Sequence, residues 1–457
     1  MAKFSRTVRN VLSLALLLGL AAGAAWLIAQ SRPRPPEIVQ QPAAPLQQSP
    51  LATPTASRQE PTKSPPHPTA TPTEAARPIP LCTFPGGLAP EVIGLSLDDY
   101  TFSAPKVVLT NTSGIDIAGW LPDGGQLLIT SRDPEVFGEE IEVFNVRSGD
   151  LKVFGERVSI SGKPVWLPAA KAVAYLAVAA QQLELRVSYG DPKQTELVGQ
   201  DVDLLSLATA PDGQRLIYFT APTGGQPLLW DSTSRTTEAM PFDLNRWKSF
   251  ERPANERDFR SVWAPDGSQI AFYTYPALFL VNVGTGQGCE VDLGIESVEQ
   301  GPIWIFEAKW SPDGHYLAMI TTATSVRGQL LSFTKLAILD VFTGEQLRPK
   351  LAMSHVWDII WAPDSQHIIA LGQIGTIQGY PIQKAFLVSV LSGNSQPVLP
   401  EHILGGGSSD PGMQLAWSPD GRTIAVKCPL LQPETLDMVE DRLCLITVTP
   451  ILAGDKP

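Results

Sequence analysis

The chain has 457 residues, of which 43% are hydrophobic and 18% charged, a composition typical of globular proteins. Its 42 prolines and 37 glycines exclude a mainly helical protein and favour a turn-rich β protein with an extended segment. The formal net charge is −12, and a chain this acidic lacks the basic patches that a nucleic-acid partner requires, so we expect no nucleic acid among its partners.

The first predicted element is an N-terminal apolar helix. Residues 11–28 carry no charge and are just long enough to span a bilayer, and basic residues precede them. We therefore assign residues 1–30 to a signal anchor, which predicts a single-pass protein of the cell membrane with its bulk outside the cytoplasm. The alternative is a signal peptide cleaved near Gly23 or Ala25, and then a secreted protein.

A proline-rich segment follows at residues 31–80, where 14 residues are proline and large apolar residues are almost absent. Such a segment cannot bury enough surface to offset chain entropy, so we predict a disordered or semi-extended stalk. At about 3.1 Å per residue it would reach on the order of 150 Å when fully extended. Proline-rich ligand motifs for partner domains are the alternative interpretation.

A five-residue motif then recurs along the chain. Trp310–Gly314 reads Trp-Ser-Pro-Asp-Gly, and Trp417–Gly421 repeats it unchanged. Weaker copies begin at five other positions: Trp120, Trp166, Thr209, Trp263 and Trp361. The seven first residues are spaced 46, 43, 54, 47, 51 and 56 apart, a period typical of propellers and solenoids.

Each copy of the motif lies between two short apolar runs, and a third run with a second tight turn follows it. In the motif, proline presets φ, the aspartate side chain forms a hydrogen bond with the backbone of the turn, and glycine adopts a left-handed conformation. Four short strands repeated seven times predict an all-β fold, a seven-bladed β-propeller of four-stranded antiparallel blades over residues 81–457. We predict that Lys106–Thr110 supplies the outer strand of blade seven near Leu445 and closes the ring.

The turn motif, followed by runs such as Ile270-Ala271-Phe272, resembles the WD40-like (PD40) repeat of the TolB family over residues 105–449. The resemblance implies a TolB-type β-propeller and is nearly silent on activity. In TolB an α/β domain precedes the propeller, and here the proline-rich segment takes that place, so the role of TolB in the cell envelope is not carried over.

The repeat residues are expected to be structural, with tryptophan packing between blades and the others forming the turn. These residues are Trp120, Trp166, Trp263, Trp310, Trp361, Trp417, Asp313 and Gly314.

Four cysteines in an exported protein permit disulfides. Cys428 and Cys444 flank a short connection in blade seven, and closing such a loop contributes roughly 3 kcal/mol in the chain-entropy model. Cys82 and Cys289 are left over, and their pairing would clamp the end of the stalk to blade four. The cysteine and histidine spacing does not match a zinc site, so no metal is expected there.

No catalytic signature is present: neither His-Glu-x-x-His nor Gly-x-Ser-x-Gly occurs, and no cofactor is expected. The connections on one face of the ring are instead unusually long, which is where binding tends to lie. They are 321–334 in blade five, 372–383 in blade six, 429–442 in blade seven, 131–140 in blade one, and the link 241–260 between blades three and four. The binding candidates on them are Arg246, Trp247, Arg257, Arg327, Tyr380, Glu139, Glu140 and Asp437.

Two of these connections are acidic, namely those of blades one and seven. The simpler interpretation is a solvated rim, and the alternatives are a calcium site or a cationic ligand.

The leading functional hypothesis is a membrane-tethered propeller outside the cytoplasm, monomeric, that binds a protein or cell-envelope partner without catalysis. The alternative is a hydrolase or lyase that acts on glycans or peptides at the mouth of the central channel. A structural spacer within an envelope assembly is the third hypothesis.

Overall fold

The computed structural model describes residues 80–86, 96–111, 114–133, 136–155, 157–179, 182–191, 194–202, 207–220, 226–242, 260–274, 277–294, 300–325, 330–377, 380–399, 415–432 and 438–450. The chain divides into two units, and all of these residues belong to the second, Glu74–Pro457. The predicted signal anchor and all but the last residue of the predicted stalk lie outside the described residues. Within the described residues, no helix is long and apolar enough to cross a membrane.

The predicted seven-bladed propeller is confirmed: seven sheets follow one another around a ring, and each is antiparallel. One turn of 3-10 helix (Leu97–Asp99) precedes β1 (Tyr100–Phe102) and β2 (Lys106–Asn111).

The first three blades follow in chain order. Blade one is β3 (Ile115–Trp120), β4 (Gln126–Asp133), β5 (Val136–Asn145) and β6 (Leu151–Val153). Blade two is β7 (Ile160–Leu167), β8 (Ala172–Ala179), β9 (Gln182–Ser188) and β10 (Thr195–Gln200). Blade three is β11 (Ala208–Thr209), β12 (Arg215–Tyr218), β13 (Leu228–Asp231) and β14 (Thr236–Ala239).

The other four blades repeat this order. Blade four is β15 (Arg260–Trp263), β16 (Gln269–Thr274), β17 (Ala277–Asn282) and β18 (Gly288–Val291). Blade five is β19 (Gln300–Trp310), β20 (Tyr316–Ser325), β21 (Leu330–Asp340) and β22 (Gln346–Leu347). Blade six is β23 (His355–Trp361), β24 (His367–Ile377), β25 (Tyr380–Ser389) and β26 (Ser395–Pro397). Blade seven contains β27 (Leu415–Trp417), β28 (Thr423–Lys427), β29 (Leu430–Leu431) and β30 (Met438–Pro450).

The core consists of apolar layers between neighbouring blades. Successive side chains of a strand point to opposite faces, and both faces of a blade are covered. On β16, Ile270 and Phe272 therefore pack against blade three, whereas Ala271 and Tyr273 pack against blade five. This two-sided burial explains why the second strands are continuous apolar runs rather than alternating ones.

The repeat tryptophans join neighbouring blades through their indole N–H groups. In three cases the acceptor is the carbonyl just before the tryptophan of the preceding blade: Trp120 donates to Ala416, Trp310 to Val262 and Trp361 to Lys309, at 3.0, 3.2 and 2.8 Å. The tryptophan of blade seven, Trp417, donates instead to Gly421 in its own turn at 2.9 Å. The indole of the first residue in the motif thus fixes the position of one inner strand relative to the next.

The turns of neighbouring blades also interlock. The glycine of each turn lies against the proline of the preceding blade's turn, as in the pairs Gly124–Pro419, Gly213–Pro168, Gly267–Pro211, Gly314–Pro265 and Gly421–Pro363. In blade six a serine, Ser365, takes the glycine position with a φ of 59°. Its hydroxyl accepts a hydrogen bond from the Asp313 backbone at 3.0 Å, which gives this turn a polar contact to blade five.

The predicted ring closure is confirmed and extends further than expected. β2 pairs with β30, with Val107 opposite Cys444, and β1 pairs with the end of the same strand, with Phe102 opposite Val448. The outer strand of blade seven is therefore supplied in two pieces by the beginning of the propeller. This arrangement leaves no open edge on β30 along these pairs.

A buried polar group reinforces this closure. The Tyr100 hydroxyl donates to the Asp364 carboxylate in the blade-six turn, and His367 Nδ1 lies 2.7 Å from the same oxygen. Burial, together with the neighbouring Asp364 carboxylate, raises the pKa of Tyr100. Burial opposes ionisation of Asp364, but the hydrogen bonds from His367 and Tyr100 hold its pKa below the usual value.

The structure corrects one expectation about the long connections. In blades one, five and six most of each connection is regular strand, since β20 reaches Ser325 and β24 reaches Ile377. In blade seven β29 pairs with the start of β30. These connections are thus elongated hairpins rather than irregular loops, with the extra residues hydrogen-bonded across the two strands.

Both expected disulfides are present: Cys428–Cys444 within blade seven, and Cys82–Cys289 between residues 80–86 and blade four. Beside Cys82, Leu81 forms a parallel bridge with Glu290 of β18. The end of the predicted stalk is thereby clamped to the outer edge of blade four, as the leftover cysteine pair implied.

Candidate functional site along the central channel

The innermost strand of each blade borders the central channel, and a position three residues before the repeat tryptophan carries charge in four blades. The residues are Lys163, Arg260, Glu307 and Asp358, in blades two, four, five and six. Cations thus lie on one side of the ring and anions on the other. The two acids are not free charges, because Asp358 is buried and both acids pair with Lys309.

Asp358 joins three blades at the channel. Its Oδ1 accepts a hydrogen bond from Lys309 Nζ at 2.8 Å, and its Oδ2 accepts one from the Leu415 backbone at 3.0 Å. Lys309 also pairs with Glu307 at 3.0 Å. Burial opposes ionisation of Asp358, but Lys309 and, across the channel, Lys163 lower its pKa. The carboxylate therefore stays charged well below neutral pH.

Asp441 forms a second clamp of the same design between blades seven and one. Its Oδ2 accepts from the Ile115 backbone at 2.8 Å and lies 2.9 Å from Lys427 Nζ. Lys427 also pairs with Asp116 at 3.3 Å. Burial opposes the charge on Lys427, but Asp116 and Asp441 raise its pKa. In both clamps a buried acid accepts a hydrogen bond from the first backbone N–H of the next blade's inner strand.

A polar cleft of about 230 Å³ opens beside the second clamp, between blades one and two. Asp116, Arg132, Glu139 and Lys163 contribute its charges. Arg132 pairs with Glu139 at 2.7 Å and lies 3.7 Å from Asp116. Lys163 is exposed and makes no ion pair within 4.0 Å to any residue that the structure describes, so its charge is available to a ligand.

An apolar cavity of about 380 Å³ adjoins this cleft toward the short turns. The cleft and the cavity share Ala118 and Pro164. The cavity is lined mainly by tryptophan and proline side chains: Trp120, Trp166, Trp263, Pro122, Pro168 and Pro211. Blade three contributes Thr209, which stands where the other blades have tryptophan. Along blades one to three the channel therefore changes from charged at the hairpin end to aromatic at the turn end.

Of the predicted binding residues, Glu139 lines the polar cleft. Glu140 lies next to it and pairs with Arg157 at 2.5 Å. Tyr380 begins β25, and nothing is described of its side chain. The other candidates fall outside the described residues: Arg246, Trp247, Arg257, Arg327 and Asp437.

Sequence reasoning missed the residues that line the channel, Lys163 and Asp358 above all. The signal was present, because both occupy the same position relative to the repeat tryptophan. Aligning the seven copies three residues upstream of the motif reveals the charged ring.

The acidic residues in the connections of blades one and seven are paired with cations wherever the structure describes their side chains. Glu139 and Glu140 pair with arginines, Glu440 pairs with Arg442 at 2.7 Å, and Asp441 belongs to the second clamp. Among the described residues, no group of three or more His, Cys, Asp or Glu side chains is placed to hold a metal ion. A calcium ion bound by Glu139 or Glu140 would have to displace an arginine.

No known protein family matches the sequence, and no curated protein does. Solved structures are similar in fold. An oligogalacturonate lyase from Vibrio parahaemolyticus has a TM-score of 0.51 at 11% identity, over 78% of this chain and 99% of that one. TolB from Acinetobacter baumannii has a TM-score of 0.38 at 17% identity, over 69% and 78% of the two chains. A TolB from Agrobacterium tumefaciens described as putative has 0.39 at 13%, over 76% and 94%.

At these identities the likeness shows the fold alone. The class of protein is therefore a seven-bladed β-propeller, and the propeller fold expected from the repeat is confirmed.

Proposed function

We propose that this protein is a binding scaffold held at the cell membrane, outside the cytoplasm, which docks a protein or cell-envelope partner on the hairpin end of its channel. The observation that carries the proposal is the polar cleft, where exposed Lys163 lies unpaired among described residues beside the elongated hairpin of blade one. Two disulfides support the location, because disulfides persist in oxidising compartments.

The ionisation states at the channel favour binding over proton transfer. A general acid or base works best with a pKa near the operating pH. The pKa of Asp358 is lowered and that of Lys309 is raised, so both shifts move away from neutrality. These groups stay charged and are held in an ion pair with each other, so neither is poised to transfer a proton.

The test is a crosslinking pull-down with the full chain. Lys163→Glu reverses the unpaired charge in the cleft. Lys171→Glu reverses another exposed lysine, in the short turn of the same blade, and serves as the matched control. Partners lost with the first variant and recovered with the second support docking at the hairpin end. Equal recovery with both variants contradicts it.

A hydrolase or lyase acting on glycans or peptides is the second candidate. Asp116 and Glu139 lie in one cleft with Arg132 and Lys163, which brings carboxylates and cations together at the mouth of a channel. Both carboxylates are already ion-paired, so neither stands as a free base. Because one similar fold is an oligogalacturonate lyase, oligogalacturonate is the first substrate to assay. Unsaturated product that forms with the wild type but not with Glu139→Gln would favour the enzyme.

A further inference from the structure

A groove of about 700 Å³ lies on the short-turn side of the propeller, between blades four and five. It is lined by turn residues of both blades and by residues 80–85, which belong to no blade. The Cys82–Cys289 disulfide attaches these residues to blade four, and the Phe84 ring packs on Gly344 in blade five. The segment is therefore fixed to both blades and forms one side of the groove.

The groove carries negative charge that no described residue neutralises. Asp266 and Asp313 line it, both are exposed, and neither lies within 4.0 Å of a cationic group in the described part of the chain. Its described lining contains no lysine, arginine or histidine. Burial raises the pKa of Glu290, which pairs with Leu81 at the edge of blade four, and the Asp292 carboxylate raises it further. The charge of the groove therefore favours an occupant that is positively charged.

The chain reaches this groove at Pro80. The Pro80 carbonyl accepts a hydrogen bond from the Glu290 N–H at 3.0 Å, and the Cys82 N–H donates to the Glu290 carbonyl at 2.8 Å, in a parallel pairing. Because the pairing is parallel, Pro80 faces the start of β18, where Gln287 and Gly288 line the groove. Proline has no N–H for the next bond of this ladder, so the pairing ends at Pro80, beside the groove.

The residues just before Pro80 match the groove in charge. Residues 75–79, which lie outside the described residues, read Ala-Ala-Arg-Pro-Ile. Arg77 is the only lysine or arginine between Lys63 and Lys106. Three residues span at most about 10 Å of chain, so Arg77 is tethered close to a groove whose lining includes Pro80.

Arginine also suits the chemistry of the lining. Its planar guanidinium pairs with carboxylates and stacks on aromatic faces. The groove provides both, with carboxylates at Asp266 and Asp313 and rings at Phe84 and Phe342. Phe342 is 43% exposed, so its ring is available for such a contact. The tether to Pro80 further favours this segment over a free peptide, because it raises the local concentration of Arg77.

We propose that residues 75–79 occupy the groove between blades four and five, with the Arg77 guanidinium paired to the acids of the groove, Asp266 and Asp313. The segment then adds a non-covalent contact to the disulfide, and the ordered propeller begins several residues before Cys82. The groove lies on the short-turn side, so this proposal does not rest on partner docking at the hairpin end.

The experiment measures the backbone order parameter of the Ala76 amide by nitrogen-15 relaxation, in the full chain labelled at alanine. A docked segment should give about 0.85, as a rigid backbone does, whereas a released one gives less than about 0.6. Arg77→Glu reverses the charge and should move Ala76 into the second range. Arg77→Lys keeps the charge and should keep the order. Lys63→Glu is the matched control, because it reverses a cation outside the segment and should change nothing.

The second variant changes the groove instead of the segment. Asp266→Asn together with Asp313→Asn removes both charges but keeps the side-chain oxygens that accept backbone N–H groups of the two turns. It should release Ala76, whereas Asp123→Asn, the same change in the turn of blade one, should leave Ala76 ordered.

Two results overturn the proposal. One is an equal order parameter of Ala76 in the wild type and in the variant that carries both Asp266→Asn and Asp313→Asn. The other is a mobile Ala76 in the wild type while an added tetra-arginine peptide shifts the Asp266 and Asp313 amide resonances. The groove would then be a site for a basic partner from outside the chain. Loss of partner docking in Lys163→Glu concerns the hairpin end and affects neither result.

Discussion

Replacing single repeat tryptophans by phenylalanine tests the link between neighbouring blades. Trp361→Phe and Trp310→Phe each remove an indole N–H that donates to the preceding blade, at 2.8 and 3.2 Å. Trp263→Phe removes a similar buried ring whose N–H has no acceptor among the described residues. The three variants share the loss of ring area and differ in the hydrogen bond, and Trp263→Phe also weakens the contact of the Arg215 guanidinium with the ring.

The magnitude follows from that difference. A net intramolecular hydrogen bond is worth about 0.5–1.5 kcal/mol, and a carbonyl left buried without a partner adds to the loss. Trp361→Phe should therefore lower the free energy of unfolding by about 1–2 kcal/mol more than Trp263→Phe. Trp310→Phe, whose hydrogen bond is longer, should fall between them.

Equilibrium urea unfolding followed by far-ultraviolet circular dichroism is the assay, because tryptophan fluorescence changes with the substitutions themselves. The midpoints of the three variants are compared at equal slope, so that only stability differs. Equal losses for Trp263→Phe and Trp361→Phe would refute the claim that the indole N–H links the blades.

Three further outcomes are expected. Asp358→Asn should destabilise the propeller by about 3 kcal/mol because it leaves the Lys309 charge with one fewer partner. Replacing both residues, Asp358 by Leu and Lys309 by Met, should destabilise it less, and a double-mutant cycle of urea unfolding measures the difference. The pKa of Asp364 in the folded protein lies below its unfolded value of about 3.9. Its contribution to the free energy of unfolding is therefore complete above that pH and is lost as the pH falls through the folded pKa. Asp364→Asn should reduce the fall in melting temperature between pH 6 and pH 2, as thermal melts across that range would show. The Cys82–Cys289 disulfide closes a span of 207 residues, so replacing both cysteines by serine should lower the free energy of unfolding by up to about 5 kcal/mol. An unchanged melting temperature would show that this disulfide does not stabilise the propeller.

The repeat alone predicted most of the fold, because its turn residues have local physical reasons to recur. Proline, aspartate and glycine define a turn within five residues, and the number of these turns gives the number of blades. The pairing of Lys106–Thr110 with blade seven followed from a strand without a partner in its own blade. The elongated hairpins were predicted only as long connections, although the β-branched residues of 321–325 favour strand.

The channel could be predicted only in part, since its contacts join residues from different blades. Lys309 and Asp358 are 49 residues apart in sequence, and no local pattern connects them. The unpaired indole N–H of Trp263 is apparent only by comparison with Trp120, Trp310 and Trp361, whose acceptors lie in other blades. Most of the predicted binding residues lie outside the described part of the chain and remain predictions.

The disulfide between Cys82 and Cys289 determines how the propeller bears a pull on its chain. Tension applied at Pro80, with the propeller held at its face, passes through the sulfur atoms directly into β18. The stretch between the two cysteines, which includes the closing strands β1 and β2, is bypassed and carries no load. Without this bond the same pull would peel β1 and β2 from β30 and open the ring at its seam. The covalent clamp on blade four thus gives mechanical protection to the closure in blade seven.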